Sequence, residues 1–271
     1  MIYSAIEQNR TAKEVEQQIE SLILEGVLRV NDKLPGERAL SKAFSISRPI
    51  LREALASLEK RGLLNTRHGG GTYTSDVIGT MFAPAIVELI GSNPKTKTDY
   101  LEYRREIEGM TAAMAAKRVT EADKTRLAQI MEAMEQAHTD EDAEREAAVD
   151  VEFHNAIGEC AHNIILLHTL RSCYRLLSND VFNNRELLYS GEGMRDKMLQ
   201  QHKTIYLSVI NGKVKDAKKA AQDHIIFIEQ ASREVERNNE WSAVSALRLA
   251  QRDEMENKKT RRKACTLEKK P

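Results

Sequence analysis

Residues 34 to 74, LPGERALSKAFSISRPILREALASLEKRGLLNTRHGGGTYT, constrain this chain more than any other stretch. Leu34-Pro35 predicts the end of an extended segment, because a residue before proline is pushed out of the α region. Glu37 to Phe44 then has the make-up of a short helix whose apolar face is Leu40, Ala43 and Phe44. Ser45-Ile46-Ser47 reads as a turn. Ser47 suits an N-cap, and Pro49 sits in the first helical turn, where its missing N–H costs nothing. A second helix is expected from Arg48 to about Arg61, with Leu51, Ala54, Leu55 and Leu58 inward and Gly62 as its stop. Leu63 to Arg67 and Thr72 to Thr74 read as two short strands, with His68-Gly69-Gly70-Gly71 as the hairpin tip. The expectation is a helix-turn-helix followed by a β-hairpin wing.

The polar residues of this stretch point to DNA. Arg48 and Arg52 are one helical turn apart in the half of the helix that would enter a major groove. An arginine can bond guanine O6 and N7 with two parallel donors, and Arg38, at the start of the preceding helix, can join the pair. Ser47 and the N–H groups beside it suit a phosphate. From Lys33 to Arg67 there are eight Lys/Arg (33, 38, 42, 48, 52, 60, 61, 67) against three acids (37, 53, 59), a local +5 in a chain of net charge zero. The bland alternative is a small helical domain with a solvated arginine face.

Taken together, LPGERAL, SRPILREAL and HGGGT resemble the winged helix of GntR-family bacterial transcription regulators. The remainder, over roughly residues 10 to 237, is similar to the FadR subfamily with its all-helical FCD effector domain, and within it to the pyruvate, lactate and glycolate regulators. The resemblance assigns DNA contacts to Arg38, Arg48, Arg52, His68 and Gly69. Pro49 stands where some relatives carry Thr, so the contact there departs from the pattern.

The rest of the chain reads as helix. Residues 11 to 28 form a first helix with Val15, Ile19, Leu22 and Ile23 on one face and Gly26 at its end. The winged helix-turn-helix is placed at 1–76, a linker at 77–80 and a helical bundle at 81–237, so the fold class is mainly α. Segments are expected at 83–90, 98–119, 120–139 (opened by a Thr120/Asp123 capping box), 142–160, 163–188, 194–210 and 215–237, giving an antiparallel bundle of six or seven helices. Residues 238 to 271 begin as a short amphipathic helix. From Arg252 onward eight Lys/Arg face four acids, a net +4, and the end is expected to be partly disordered. No apolar run reaches eighteen residues and no signal peptide opens the chain. Cys160, Cys173 and Cys265 are scattered without a CxxC, which fits a reducing cytoplasm and small buried hydrophobes in helices.

Four residues carry the bundle's chemistry. Asp150 and His154 lie i, i+4 and share a helix face. His202 and His224 sit on two further helices, His224 within an apolar stretch. As a group they make an N₃O donor set suited to Zn²⁺, Ni²⁺, Fe²⁺ or Mn²⁺, zinc first. Read alone, histidines so spread are more often core or surface residues. The FCD resemblance implies the metal set, because its metal-binding members carry Asp-x-x-x-His, then a His, then another about twenty residues later. Arg104 and Glu108 are i, i+4 and read as an ion pair. The resemblance turns Arg104 toward an effector carboxylate, with Asn179 and Asn183 as further lining residues. The implied protein is a homodimeric repressor on a palindromic double-stranded DNA operator, controlled by a small 2-hydroxy or 2-oxo acid bound at a divalent metal. The alternatives are a sensor of the metal itself and a small metal-dependent hydrolase, although no general base or nucleophile motif stands beside the ligands.

Overall fold

The computed structural model describes residues 11–67, 69–76, 94–177 and 193–267. His68, Asn179, Asn183, the 77–80 linker and the segment expected at 83–90 lie outside the described residues.

The N-terminal unit contains α1 (Ala12–Leu24), α2 (Glu37–Phe44), α3 (Arg48–Lys60), β1 (Leu64–Arg67) and β2 (Gly71–Thr74). The Glu14 carboxylate accepts from the Thr11 N–H at 2.9 Å and opens α1. The helix ends at Leu24, and Gly26, with φ +73°, carries the chain away from it. Val15, Ile19 and Ile23 of α1 pack with Leu40 and Phe44 of α2 and with Leu51, Ala54 and Leu58 of α3 in one core. Phe44 is fully buried, and each such large side chain contributes roughly 1.5–3 kcal/mol. Ser45 makes the turn between α2 and α3 at φ 56°, and its neighbour Ser41 donates its hydroxyl to the Ile46 carbonyl at 2.6 Å. β1 and β2 pair antiparallel from Leu64↔Thr74 to Arg67↔Gly71, and the Leu34 N–H donates to the Thr72 carbonyl, so the segment before α2 ties onto the wing.

Six described helices form the second unit: α4 (Pro94–Arg118), α5 (Glu121–Thr139), α6 (Ala143–Cys160), α7 (Ile164–Leu177), α8 (Met194–Ile210) and α9 (Val214–Leu267). The expected capping box is present: the Thr120 N–H donates to Asp123 Oδ2 at 2.8 Å while Thr120 Oγ1 accepts from the Asp123 N–H. Asp142 and Asn163 open α6 and α7 in the same way, with carboxylate and amide oxygens accepting from N–H groups three residues on. Asn211-Gly212 ends α8, with Gly212 at φ +67°. The core holds Leu127, Ile130, Phe153, Ile205 and Val209 together with Ala112, Ala115, Ala116, Ala217 and Ala221. These alanines make a small-residue seam between α4 and α9. At Gly109 a Cβ would come within 2.7 Å of Gln222 Cγ, so the seam is closed as far as it can be. Close approach of α9 to α4 is what brings His224 into the middle of the bundle.

Three features differ from the sequence expectation, the first being that α1 closes at Leu24 rather than at residue 28. α9 does not stop near Arg237 but continues as one helix to Leu267. α4 begins at Pro94, four residues earlier than expected, because proline is well placed in a first turn. Among the described residues, no helix is long and apolar enough to cross a membrane.

Candidate metal centre and nucleic-acid interface

One turn of α6 separates Asp150 from His154, α8 supplies His202 and α9 supplies His224. These four side chains are 1, 6, 2 and 0% exposed, and one donor atom from each lies within 4.8 Å of the others. Asp150 Oδ1 is 3.0 Å from His202 Nε2 and 3.9 Å from His154 Nε2, while the two Nε2 atoms are 3.4 Å apart. Bonds of about 2.1 Å to one ion place neighbouring ligand atoms about 3.0–3.4 Å apart, the spacing of His202 Nε2 from Asp150 Oδ1 and from His154 Nε2, and the whole set, within 4.8 Å, is one that could hold a single cation.

The outward nitrogens support the same reading. His154 Nδ1 lies 3.1 Å from Glu108 Oε2, and His224 Nδ1 lies 2.9 Å from Gln201 Oε1. An imidazole that donates through Nδ1 keeps a lone pair on Nε2, and in His154 that nitrogen faces Asp150 and His202. Glu108 and Gln201 thus set the tautomer and ring orientation of two of the candidate donors. The sequence marked Glu108 only as the partner of Arg104, and it carried no signal for Gln201 beyond its place next to His202.

Arg104 and Glu108 are both buried and 2.7 Å apart, which realises the i, i+4 ion pair. The Arg104 guanidinium also donates to the Tyr174 hydroxyl at 3.2 Å and lies over its ring. Burial alone would raise the Glu108 pKa, but Arg104 and then His154 hold it down to about 2. Burial would lower the pKa of Arg104, and Glu108 reverses that, so the guanidinium stays charged. Tyr174 stacks on His154 with ring centroids 5.3 Å apart. Two small cavities flank the donor set. One, of about 10 Å³, is lined by Glu108, Thr111, His154, Leu170, Tyr174 and Ile205. The other, of about 20 Å³, is lined by Glu146, Asp150, Arg195, Met198 and His202 among others. Each holds about one water, so a larger ligand must push its walls apart. Burial pushes the thiols of Cys160 and Cys173 up to about 12 and about 11, so neither is a thiolate available for nucleophilic or metal chemistry.

The nucleic-acid face has the opposite character. Arg38, Ser47, Arg48, Pro49, Arg52 and Gly69 are all exposed. Ser47 occupies the N-cap of α3 in an extended conformation, and its hydroxyl makes no cap bond. Arg52 Nε donates to Glu37 Oε2 at 2.8 Å, which ties α3 to the start of α2. In the wing, Arg67 lies over the Tyr73 ring, and a Cβ at Gly71 (φ +105°) would sit 2.9 Å from Lys33 Cε.

The two units also touch. His168 Nε2 on α7 is 2.8 Å from the Leu24 carbonyl at the end of α1. Arg171 donates to Glu159 at 2.7 Å, and Glu159 also accepts from Arg29 at 3.3 Å. A Cβ on Gly26 would come within 2.6 Å of the Arg171 guanidinium.

An exposed basic helix-turn-helix joined to a bundle with a buried polar pocket defines a class: DNA-binding regulators with a separate ligand domain. Comparison with known proteins agrees. The gntR family of bacterial regulatory proteins matches residues 11–74 and the FCD domain matches residues 99–227. The chain is 35% identical over 223 residues to a regulatory protein named for the L-lactate dehydrogenase operon of Escherichia coli (strain K12), spanning 81% of this chain and 85% of that one. It is 32% identical to the Glc operon transcriptional activator of the same strain, spanning 82% and 89%. A solved Streptococcus agalactiae GntR structure superposes with a TM-score of 0.51 at 25% identity, over 81% of this chain and 99% of that one. This chain belongs to the GntR family of bacterial transcription regulators and carries an FCD effector domain. It is a regulator rather than an enzyme.

Proposed function

We propose that this chain represses an operon of carboxylate metabolism and releases DNA on binding a small 2-hydroxy or 2-oxo acid of the lactate, pyruvate or glycolate type. The convergence of one donor atom from each of Asp150, His154, His202 and His224 carries the reading. Asp150, His154, His202 and His224 would hold a divalent ion, zinc first and Ni, Fe or Mn otherwise. Such an ion, when bound, would supply a Lewis-acid centre suited to chelation by a carboxylate and the neighbouring hydroxyl or carbonyl oxygen. Arg104 would receive the remaining carboxylate charge, sharing its guanidinium with Glu108, to which it is paired. Asn179 and Asn183 are proposed to complete the lining.

On the DNA side, Arg38, Arg48 and Arg52 would read base edges in the major groove. Ser47, Pro49, His68 and Gly69 would lie against the backbone. A two-fold homodimer would match a palindromic double-stranded operator. The two ends of the signal meet on α7: Leu170 and Tyr174 line the cavity beside His154, while His168 and Arg171 hold the end of α1 and its loop. An effector that moves Tyr174 therefore tilts the contacts of the DNA-binding unit.

The test is thermal unfolding with pyruvate, L-lactate, D-lactate and glycolate, before and after chelation. A ligand that binds only the folded form raises the melting temperature by mass action. Stabilisation by one acid, lost on chelation and in His202→Ala, is the expected result. If no acid shifts the melt while metal alone changes DNA affinity, the ion is the signal and the metabolite reading fails.

A further inference from the structure

The bundle ends before its last helix does. Among the residues of α9 whose burial is described, Ser232 is the last buried one, and from Glu236 to Arg252 every residue is exposed. The helix nevertheless runs on to Leu267, well past the FCD match, which closes at residue 227. At 1.5 Å per residue the part beyond Ser232 extends for about 50 Å. Most helical stability in proteins comes from packing of a face against something else, so an extension of this length with every described side chain from Glu236 to Arg252 exposed points to a partner.

Its sequence discriminates between a second copy of this chain and a polyanion. Trp241, Val244, Leu247 and Leu249 are exposed large apolar residues, Trp241 at 60% and Leu247 at 71%. Trp241, Val244 and Leu247 recur every three residues, so each step turns back about 60° around the helix, and Leu249 lies on another side again. Where a heptad seam beginning at Trp241 would place its next inward residue stands Arg248. These residues do not form a coiled-coil stripe. Beyond Asn257 cations dominate: Lys258, Lys259, Arg261, Arg262, Lys263, Lys269 and Lys270 against Glu268 alone. Lys258/Arg262 and Lys259/Lys263 are one turn apart, so five cations occupy less than two turns of helical backbone.

We infer that the C-terminal extension of α9 is a second DNA contact, in which Lys258, Lys259, Arg261, Arg262 and Lys263 grip duplex phosphates without reading sequence. The inference rests on the DNA binding of the family and not on the metal-site proposal. Duplex DNA presents about one charge per 1.7 Å of axis, so a short cationic helix can meet several phosphates at once.

The experiment compares the full chain, a variant ending at Arg237, and a full-length variant with those five residues changed to Gln. Binding to a duplex of arbitrary sequence is measured by fluorescence anisotropy over a salt series. Circular dichroism verifies folding. Five phosphate contacts steepen the dependence of log K on log salt by about 4.5, so both variants should lose roughly that slope. An Arg48→Ala/Arg52→Ala double variant should keep the tail's share, which separates this contact from the winged helix. Coincident slopes for the full chain and the two variants overturn the inference. So does a truncation that leaves the slope intact but changes the sedimenting mass, which would assign the helix to a second copy.

Discussion

In the winged helix the side chains assigned to DNA stand on the surface, the core beneath them is built on Leu40, Phe44, Leu51 and Leu58, and among the described residues of that unit no charged side chain is buried. In the bundle Arg104, Glu108, Asp150, His154, His202 and His224 lie inside, against Phe153, Leu170 and Ile205. The first arrangement separates stability from function. The second merges them, because a charge removed from water must be compensated where it sits. Arg104 compensates Glu108, and Glu108 in turn anchors His154, so the pocket is held by the groups that would respond to ligand.

The largest effect expected from this contrast is on stability. Arg104→Met leaves Glu108 buried beside an apolar side chain, and breaking a buried pair from one side costs about 3–5 kcal/mol. Urea unfolding of the variant should show that loss, whereas Arg48→Ala in the winged helix should stay within about 0.5 kcal/mol of the parent. Equal losses in the two variants would mean that the two regions do not differ as described.

DNA binding should invert the order. Arg52→Ala removes one guanidinium from α3 and also its bond to Glu37. Operator affinity is expected to fall by about 1–3 kcal/mol, with specificity relaxed at one base position. Arg52→Lys keeps the charge but not the paired donors, so it should restore the salt dependence without the specificity. If it restores both, Arg52 contacts phosphate only.

The same contrast governs how each region could be read in the sequence. The winged helix is encoded locally. Leu34-Pro35, Pro49, Gly62 and the glycine tip each fix a backbone feature within a few residues, and α2, α3, β1 and β2 fall within a residue of expectation, while α1 closes at Leu24 rather than at residue 28. The bundle's helices were legible from their caps, the Thr120/Asp123 box among them. Its pocket was legible only as types: Asp150 and His154 share a face by spacing, but nothing local says that α8 and α9 deliver His202 and His224 to the same point. That depends on the alanine seam and Gly109, which read as ordinary helix. Tyr174 and Gln201 were missed for the same reason. Beyond Arg237 the sequence pointed to a short amphipathic helix; its continuity with α9 and its run to Leu267 were missed because the charged stretch after Arg252 lacks the apolar stripe by which a packed helix is recognised.

Contact between the regions offers a smaller effect. Gly26 holds φ +73° and lies against Arg171. Gly26→Ala should cost about 1–2 kcal/mol for the left-handed backbone and should also displace Arg171 from Glu159. If α7 links pocket to DNA, the variant should weaken the effect of effector on operator binding while leaving metal content unchanged. An unchanged effector response would remove Arg171 and Glu159 from the route.

The smallest effect belongs to a carboxylate placed between the two extremes. Asp123 is neither free in water nor locked in the pocket: it accepts from the Thr120 N–H and lies 2.9 Å from His162 Nε2. Partial burial pushes its pKa up, but the Thr120 bonds and His162 outweigh this and bring it below the usual carboxylate range. Because the folded pKa is depressed, the unfolded chain takes up the proton first as acid is added. Asp123 therefore stabilises fully above its unfolded pKa, and that contribution is lost as the pH falls through the folded value. Thr120→Ala should cost about 1 kcal/mol at neutral pH, the usual value of an N-cap. Asp123→Asn should narrow the stability difference between neutral pH and about pH 3 relative to the parent. A full acid dependence retained in Asp123→Asn would move the acid sensitivity of the fold to its other carboxylates and leave the cap a neutral hydrogen bond.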